Sequence, residues 1–220
     1  MALTRRSALI RVVVGLAALG LLGVLFVRSA QDTRETPFVI EGQDLAPWSL
    51  VLGPDTDELG SWLSLSPPQS LAGTLGRQVF ARGGESVRYP NPAGLPLLLV
   101  AEYDAALAGV LTSEVLVTLA REAGLESAAF EPICMAHLRI SEPGVTRGIY
   151  FVLFDAPAFG AFRLQVAEAL DRAGGDTSRF DPGALSPVLI VAGTLEGNFG
   201  RWLPLRANPD VDCLAPIERQ

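Results

Sequence analysis

The residues able to do chemistry in this 220-residue chain are few, and their scarcity is informative. All 17 basic residues are Arg, so a P-loop lysine, a Schiff-base lysine and a Ser–Lys dyad are excluded. A single His, His137, is the only imidazole available to a catalytic triad, and multi-His metal sites are excluded with it. Cys134-Met135-Ala136-His137 gathers soft-metal ligand types. On a strand, however, Met135 and His137 share one face while Cys134 points to the other. Asp55 to Gly60 opens like a calcium loop but has Leu59 where an oxygen ligand is needed and Ser66 in place of the closing Glu; it reads as an acidic turn. Glu102 and Asp104 have the alternate spacing of same-face carboxylates on a strand, a common feature of solvated surfaces. No GxSxG elbow occurs, and GTLGR at 73–77 lacks the Lys of a phosphate loop. The residue types thus point to a binding protein, not an enzyme, with no cofactor implied.

Cys134 and Cys213 are the only cysteines, and a bridge between them is the expected use in an oxidising compartment. It would close a loop of about 80 residues, contributing on the order of 4 kcal/mol in the chain-entropy account. Near the C-terminus, Phe199, Arg201, Trp202, Leu205 and Arg206 combine the aromatic, apolar and Arg character enriched at protein interfaces. They are the candidate partner-binding residues, and packing on the domain's own sheet is the alternative.

The elements that must position these residues begin with an apolar segment. Ala8 to Val27 is interrupted only by Arg11, and Val12 to Val27 is unbroken. Twenty helical residues rise about 30 Å, the thickness of a bilayer core. Arg5, Arg6 and Arg11 precede the run, whereas Arg28, Asp32, Arg34 and Glu35 nearly cancel after it. The positive-inside rule therefore places the N-terminus in the cytoplasm and the domain on the extracytoplasmic side, periplasmic or extracellular. Residues 1–30 read as a single-pass anchor, with Val12, Gly15, Leu19, Gly20, Leu22, Gly23 and Phe26 in the bilayer. A cleaved signal peptide is the alternative.

From Asp32 onward, 24 acidic residues face 13 Arg, a formal charge of −11. Such a domain repels phosphate backbones, which argues against nucleic acid as a partner. Hydrophobic residues make up 49% of the chain, enough for a real core.

Residues 31–37 read as a polar tether. Residues 38–90 read as a β-rich segment packed on the main domain, with strands at Trp48–Leu52 and Ser61–Ser66. A hairpin is expected there too, Gln78–Arg82 and Glu85–Tyr89 flanking Gly83-Gly84. Residues 91–220 alternate more clearly: a strand from Leu95 to about Tyr103, a helix over 113–123, strands at Ile133–Ile140 and Ile149–Phe154, a helix from Pro157 to Ala173, and a strand at Pro187–Ala192.

The class is α+β, and the order is the βαββαβ of a ferredoxin-like domain with a C-terminal tail. In that sheet the first and third strands are central. The fourth strand is too apolar for an open edge, so residues 38–90 or the tail should cover it. The bridge would then require the tail to cross a sheet face. The functional expectation is an accessory or assembly subunit of a membrane complex, held by its anchor and acting on another membrane or extracytoplasmic protein. A secreted or periplasmic small-ligand-binding domain is the alternative, and a carboxylate-based enzyme a more distant one.

Overall fold

Runs apolar on both faces need cover on both faces, and two sheets joined by one hydrophobic core supply it. The computed structural model describes residues 16, 18–25, 36–53, 59–83, 86–142, 145–194, 199 and 206–220. The chain divides into two compact units, Met1–Thr36 and Pro37–Gln220. In the first, Leu16 and residues 18–25 are helical, with Leu16, Leu19, Leu21, Leu22, Val24 and Leu25 exposed. No helix among the described residues is long and apolar enough to cross a membrane. Leu19, Gly20, Leu22 and Gly23 of the expected span lie in this helical stretch, while Val12, Gly15 and Phe26 lie outside the described residues.

The second unit is a mixed α+β structure. Its larger sheet runs β1 (Phe38–Ile40), β9 (Cys213–Arg219), β6 (Glu131–Glu142), β7 (Val145–Asp155), β8 (Val188–Thr194) and β4 (Val87–Arg88) from edge to edge. All pairings are antiparallel except β1 with β9. The smaller sheet places β3 (Ser61–Ser66) between β2 (Ser49–Leu52) and β5 (Leu95–Leu99). Among the described residues, the three helices of ten residues or more are α1 (Gln69–Gly83), α2 (Ser113–Glu122) and α3 (Pro157–Arg172). α1 packs on β8 and β1, α2 on α3, and β5 on β8.

Local chemistry accounts for the helices that the sequence marks. The Thr112 hydroxyl accepts from Val115 N at 3.4 Å to start α2, and Gly124 adopts φ +68° after its end. Pro157 opens α3, and Phe159, Phe162, Val166 and Leu170 form its buried stripe.

The expected ferredoxin-like sheet is not what these strands build. In that arrangement Leu95–Leu99 would separate β7 from β8. Instead β7 pairs directly with β8, Tyr150 opposite Ala192 and Val152 opposite Leu189, and β5 pairs with β3 in the other sheet. The reason is physical: a strand apolar on both faces announces burial, not its neighbour. β5 is buried because β3 flanks it and β8 packs against it.

Residues 38–90 also depart from the expected β-rich reading, since Gln78–Arg82, expected as a hairpin strand, belongs to α1. Leu71, Leu75 and Val79, four apart, are its buried stripe. The segment 95–103 turns helical after Leu99, continuing through Val100–Glu102 into a π-helical turn at Tyr103–Leu107. The tail supplies β9, which covers β6, while β4 covers β8. Of the two segments expected to cover the apolar fourth strand, residues 38–90 do so through β4, while the tail lies on the opposite side of the meander against β6.

Arg163 of α3 is fully buried and uses its whole guanidinium. Nε donates to Pro182 O at 2.9 Å. Nη1 donates to Leu97 O at 2.9 Å and to Glu102 Oε2 at 3.2 Å; Nη2 donates to Glu102 Oε1 at 2.5 Å and to Asp181 O at 2.9 Å. Phe180 lies under the guanidinium, 4.9 Å from ring centroid to Cζ. Replacing Arg163 by Met strands the Glu102 carboxylate and three carbonyls. The Arg163→Met variant should lose about 3–5 kcal/mol in urea unfolding of the full-length chain. Adding Glu102→Gln should recover part of that loss, because the uncompensated charge is then gone.

Candidate functional site

Two glycines on one face of α1 lie beside a groove in the surface of the domain. Gly76 is buried, and a β-carbon there would fall 2.3 Å from Tyr89 Cε1, so only Gly lets the tyrosine ring lie against the helix backbone. The Tyr89 hydroxyl reaches Gly76 O at 3.5 Å. One turn earlier, the Arg77 guanidinium folds back along the helix. Its Nη2 donates to Thr74 Oγ1 at 3.1 Å, and Nη1 lies 3.6 Å from where a Gly73 β-carbon would be. The chain enters α1 through Ser66-Pro67-Pro68. It returns past the same face through Tyr89-Pro90-Asn91-Pro92, whose Asn91–Pro92 bond is cis.

The result is a groove of about 420 Å³. Four of its walls are proline rings, which carry no backbone N–H to donate. Side-chain donors come instead from Ser66, the Asn91 amide and Arg77, since the single O–H of Tyr89 is directed at Gly76 O. Among the described residues Arg77 is the one charged side chain lining it. Such a surface can hold an apolar body against prolines and a ring, with a hydrogen-bond acceptor at the guanidinium. Comparison of the chain with protein-family models, with curated proteins and with solved structures finds no match. The groove is therefore read on its chemistry alone.

A second hollow lies where α1 meets the free edge of β1, and it is already spoken for. Gln78 Nε2 donates to Val39 O at 2.6 Å while its Oε1 accepts from Val39 N at 2.9 Å, so the side-chain amide stands in for another strand. β2 is treated similarly at Leu50 N, which donates to Glu126 Oε1 at 3.2 Å.

The residues singled out from sequence have separate fates. Cys134 and Cys213 are bonded, with Cα atoms 5.7 Å apart. The tail need not cross a face to reach Cys134, because β9 runs beside β6 with Cys213 opposite Ala136 and Pro216 opposite Cys134. The bond removes Cys134 as a metal ligand, and Met135 is buried in the core. No cluster of three or more His, Cys, Asp or Glu could hold a metal ion among the described residues. Glu102 is committed to Arg163 and to Leu99 N, while Asp104 is exposed, so the two do not form a carboxylate pair. Residues 54–58 of the acidic turn lie outside the described residues.

Of the candidate partner-binding residues, Phe199 is buried against the domain's own sheet. Gly193 leaves room for its ring, and the Arg88 guanidinium stands 4.9 Å from its centroid. Arg206 pairs with Asp181 at 2.9 Å on the surface. Arg201, Trp202 and Leu205 lie outside the described residues. The structure thus moves attention to Arg77 and Tyr89, which sequence reasoning missed. The usable signal was the Leu71, Leu75, Val79 spacing, which puts Gly73, Gly76 and Arg77 on a common helical flank.

His137 stacks on Tyr150 with ring centroids 4.2 Å apart and planes 3° from parallel. Burial, and secondarily the charge of Arg139, pushes its pKa down to about 4. An unfolded His takes a proton near 6.5, whereas the folded one waits until about 4. The folded state therefore loses stability as pH falls from 6.5 to 4. Solvent screening of a ring only partly buried limits this to about 1–2 kcal/mol. In paired urea titrations at pH 7 and pH 4, His137→Gln should lose less stability than the parent by that amount.

The two α1 glycines should respond oppositely to Ala. Gly73→Ala meets only ordinary contact and should stabilise the helix by about 0.5–1 kcal/mol. Gly76→Ala collides with Tyr89 and should destabilise by about 1–3 kcal/mol, read as shifted urea midpoints.

Proposed function

We propose that the chain is a single-pass membrane-anchored protein whose acidic domain lies on the extracytoplasmic side and acts by binding, as an accessory or assembly subunit of a membrane complex. The observation that carries this reading is the Cys134–Cys213 bridge, which joins two neighbouring strands of the main sheet. Such bonds persist in oxidising compartments and are rare where thiols are kept reduced. The address they imply agrees with Arg5, Arg6 and Arg11 before the apolar run and with the exposed apolar side chains of its helical part. The formal charge of −11 after Gln31 favours a protein partner over nucleic acid or anionic lipid. The side chains that might have suggested catalysis are occupied structurally: Cys134 by its bridge, Glu102 by Arg163 and His137 by its stack on Tyr150.

The groove favours a second reading, a secreted or periplasmic domain that binds a small ligand after signal cleavage. Its volume falls within the range of small-molecule sites. The two readings differ in the fate of residues 1–30.

Cells expressing the full-length chain, quenched in acid and alkylated before and after reduction, should yield modified cysteines only after reduction. Protease added to the extracytoplasmic face of intact membranes should remove the domain and leave the N-terminal segment behind. Mild-detergent capture followed by mass spectrometry should recover residues 1–30 intact, together with a stoichiometric protein. Free thiols and a protease-protected domain would refute the proposed address. A mature N-terminus near Gln31 with no co-purifying protein would favour the ligand-binding reading instead.

A further inference from the structure

We infer that the groove between α1 and the Tyr89–Pro92 turn is a binding site for a small organic carboxylate with an apolar or aromatic body. The inference deepens the ligand-binding reading and rests on it. It does not depend on whether the domain also holds a protein partner.

Three features specify the ligand. The first is shape: the Tyr89 ring and the rings of Pro67, Pro68, Pro90 and Pro92 enclose a groove of about 420 Å³. That size suits a single small molecule. The second is polarity. The four proline rings offer no N–H groups, so side-chain donors are confined to Ser66, Asn91 and Arg77, and a ligand with acceptors all round would find partners for few of them. An apolar body loses nothing there.

The third is charge. Arg77 is the one charged lining side chain among the described residues, in a domain whose net charge is strongly negative. Arg77 is exposed at the lip of the groove, with Nη1 3.6 Å from where a Gly73 β-carbon would be and one N–H of the group accepted by Thr74 Oγ1. A planar fork so placed suits a carboxylate, which can accept two parallel N–H bonds. Long-range attraction to anions is absent on this acidic domain, so selectivity must come from contact inside the groove. Gly76 ties the site together by leaving room for the Tyr89 ring against the helix.

The test uses the full-length chain in lipid nanodiscs and saturation-transfer NMR, with empty nanodiscs as the blank. The probes are 3-phenylpropionate and its uncharged counterpart 3-phenylpropanamide. The carboxylate should bind at least fivefold more tightly than the amide. Arg77→Gln should weaken carboxylate binding roughly tenfold and leave the amide unchanged. Tyr89→Ala should weaken both, with Tyr89→Leu as the variant that retains an apolar side chain against Gly76. Arg172→Gln, at the far end of α3, should change neither.

Equal binding of acid and amide would overturn the carboxylate assignment while leaving ligand binding intact. Binding of neither above the nanodisc blank would overturn both. Binding indifferent to Arg77→Gln and to both Tyr89 variants would place the probe elsewhere and overturn the site.

Discussion

The folded domain is organised around one buried cation. Arg163 has no solvent to fall back on, and a guanidinium in that position is tolerable only when every N–H is matched. Five acceptors meet its five donors, and they come from three separate places: β5, the helical turn after it, and the Asp181 and Pro182 carbonyls in the loop before β8. Each would be free to move without the others. The requirement also explains why the chain turns helical at Val100. An extended continuation would carry Glu102 away, whereas the turn lets its carboxylate serve both Arg163 and Leu99 N. The ion pair is weak evidence for net stability, since apolar side chains of equal volume could do as well. Its contribution is to fix the position of α3 and β5 relative to each other.

This arrangement separates what was legible in the sequence from what was not. α2 and α3 were legible because their ends are written locally, in Thr112, Gly124 and Pro157, and their buried stripes repeat at helical spacing. β6, β7 and β8 were legible as apolar runs bounded by turn residues. Pairing was not, because LPLLLV at 95–100 looks the same whether it sits beside β7 or beside β3. Arg163 would have been a clue, being the one charge on the apolar stripe of α3. Sequence reading passes over it because a lone Arg on a helix is usually solvated. α1 was hidden differently: Gly73, Gly76 and Gly83 depress its helical character, and the Gly83-Gly84 pair imitates a hairpin turn.

Those same glycines explain why the candidate site was illegible. A groove made by absence of side chains leaves no motif of its own, and its chemistry rests on Arg77 and Tyr89, twelve residues apart across an unforeseen helix. The disulfide was legible as a pair of cysteines but not as a route. The tail was expected to cross a face, whereas it adds a strand and thereby also carries β1 into the sheet. One covalent bond thus secures β9 directly and, through β9, the N-terminal strand of the domain.

The edges complete the physical account. The large sheet ends in a three-residue strand and a two-residue strand, and Gln78 closes the outer edge of β1 with both atoms of its amide. Strand addition by a partner is poorly served by such edges. The walls of the groove, the proposed recognition surface, are held by the main sheet itself. β4, which leads into Tyr89, is pinned by Val87 and Arg88 against Thr194 and Gly193 of β8, and α1 packs on the same strand. Both walls therefore stand on β8, which β7 joins to the disulfide-bearing strand β6. A site built this way is organised before any ligand arrives, so little ordering entropy is charged against binding, and a small ligand can be held by few contacts.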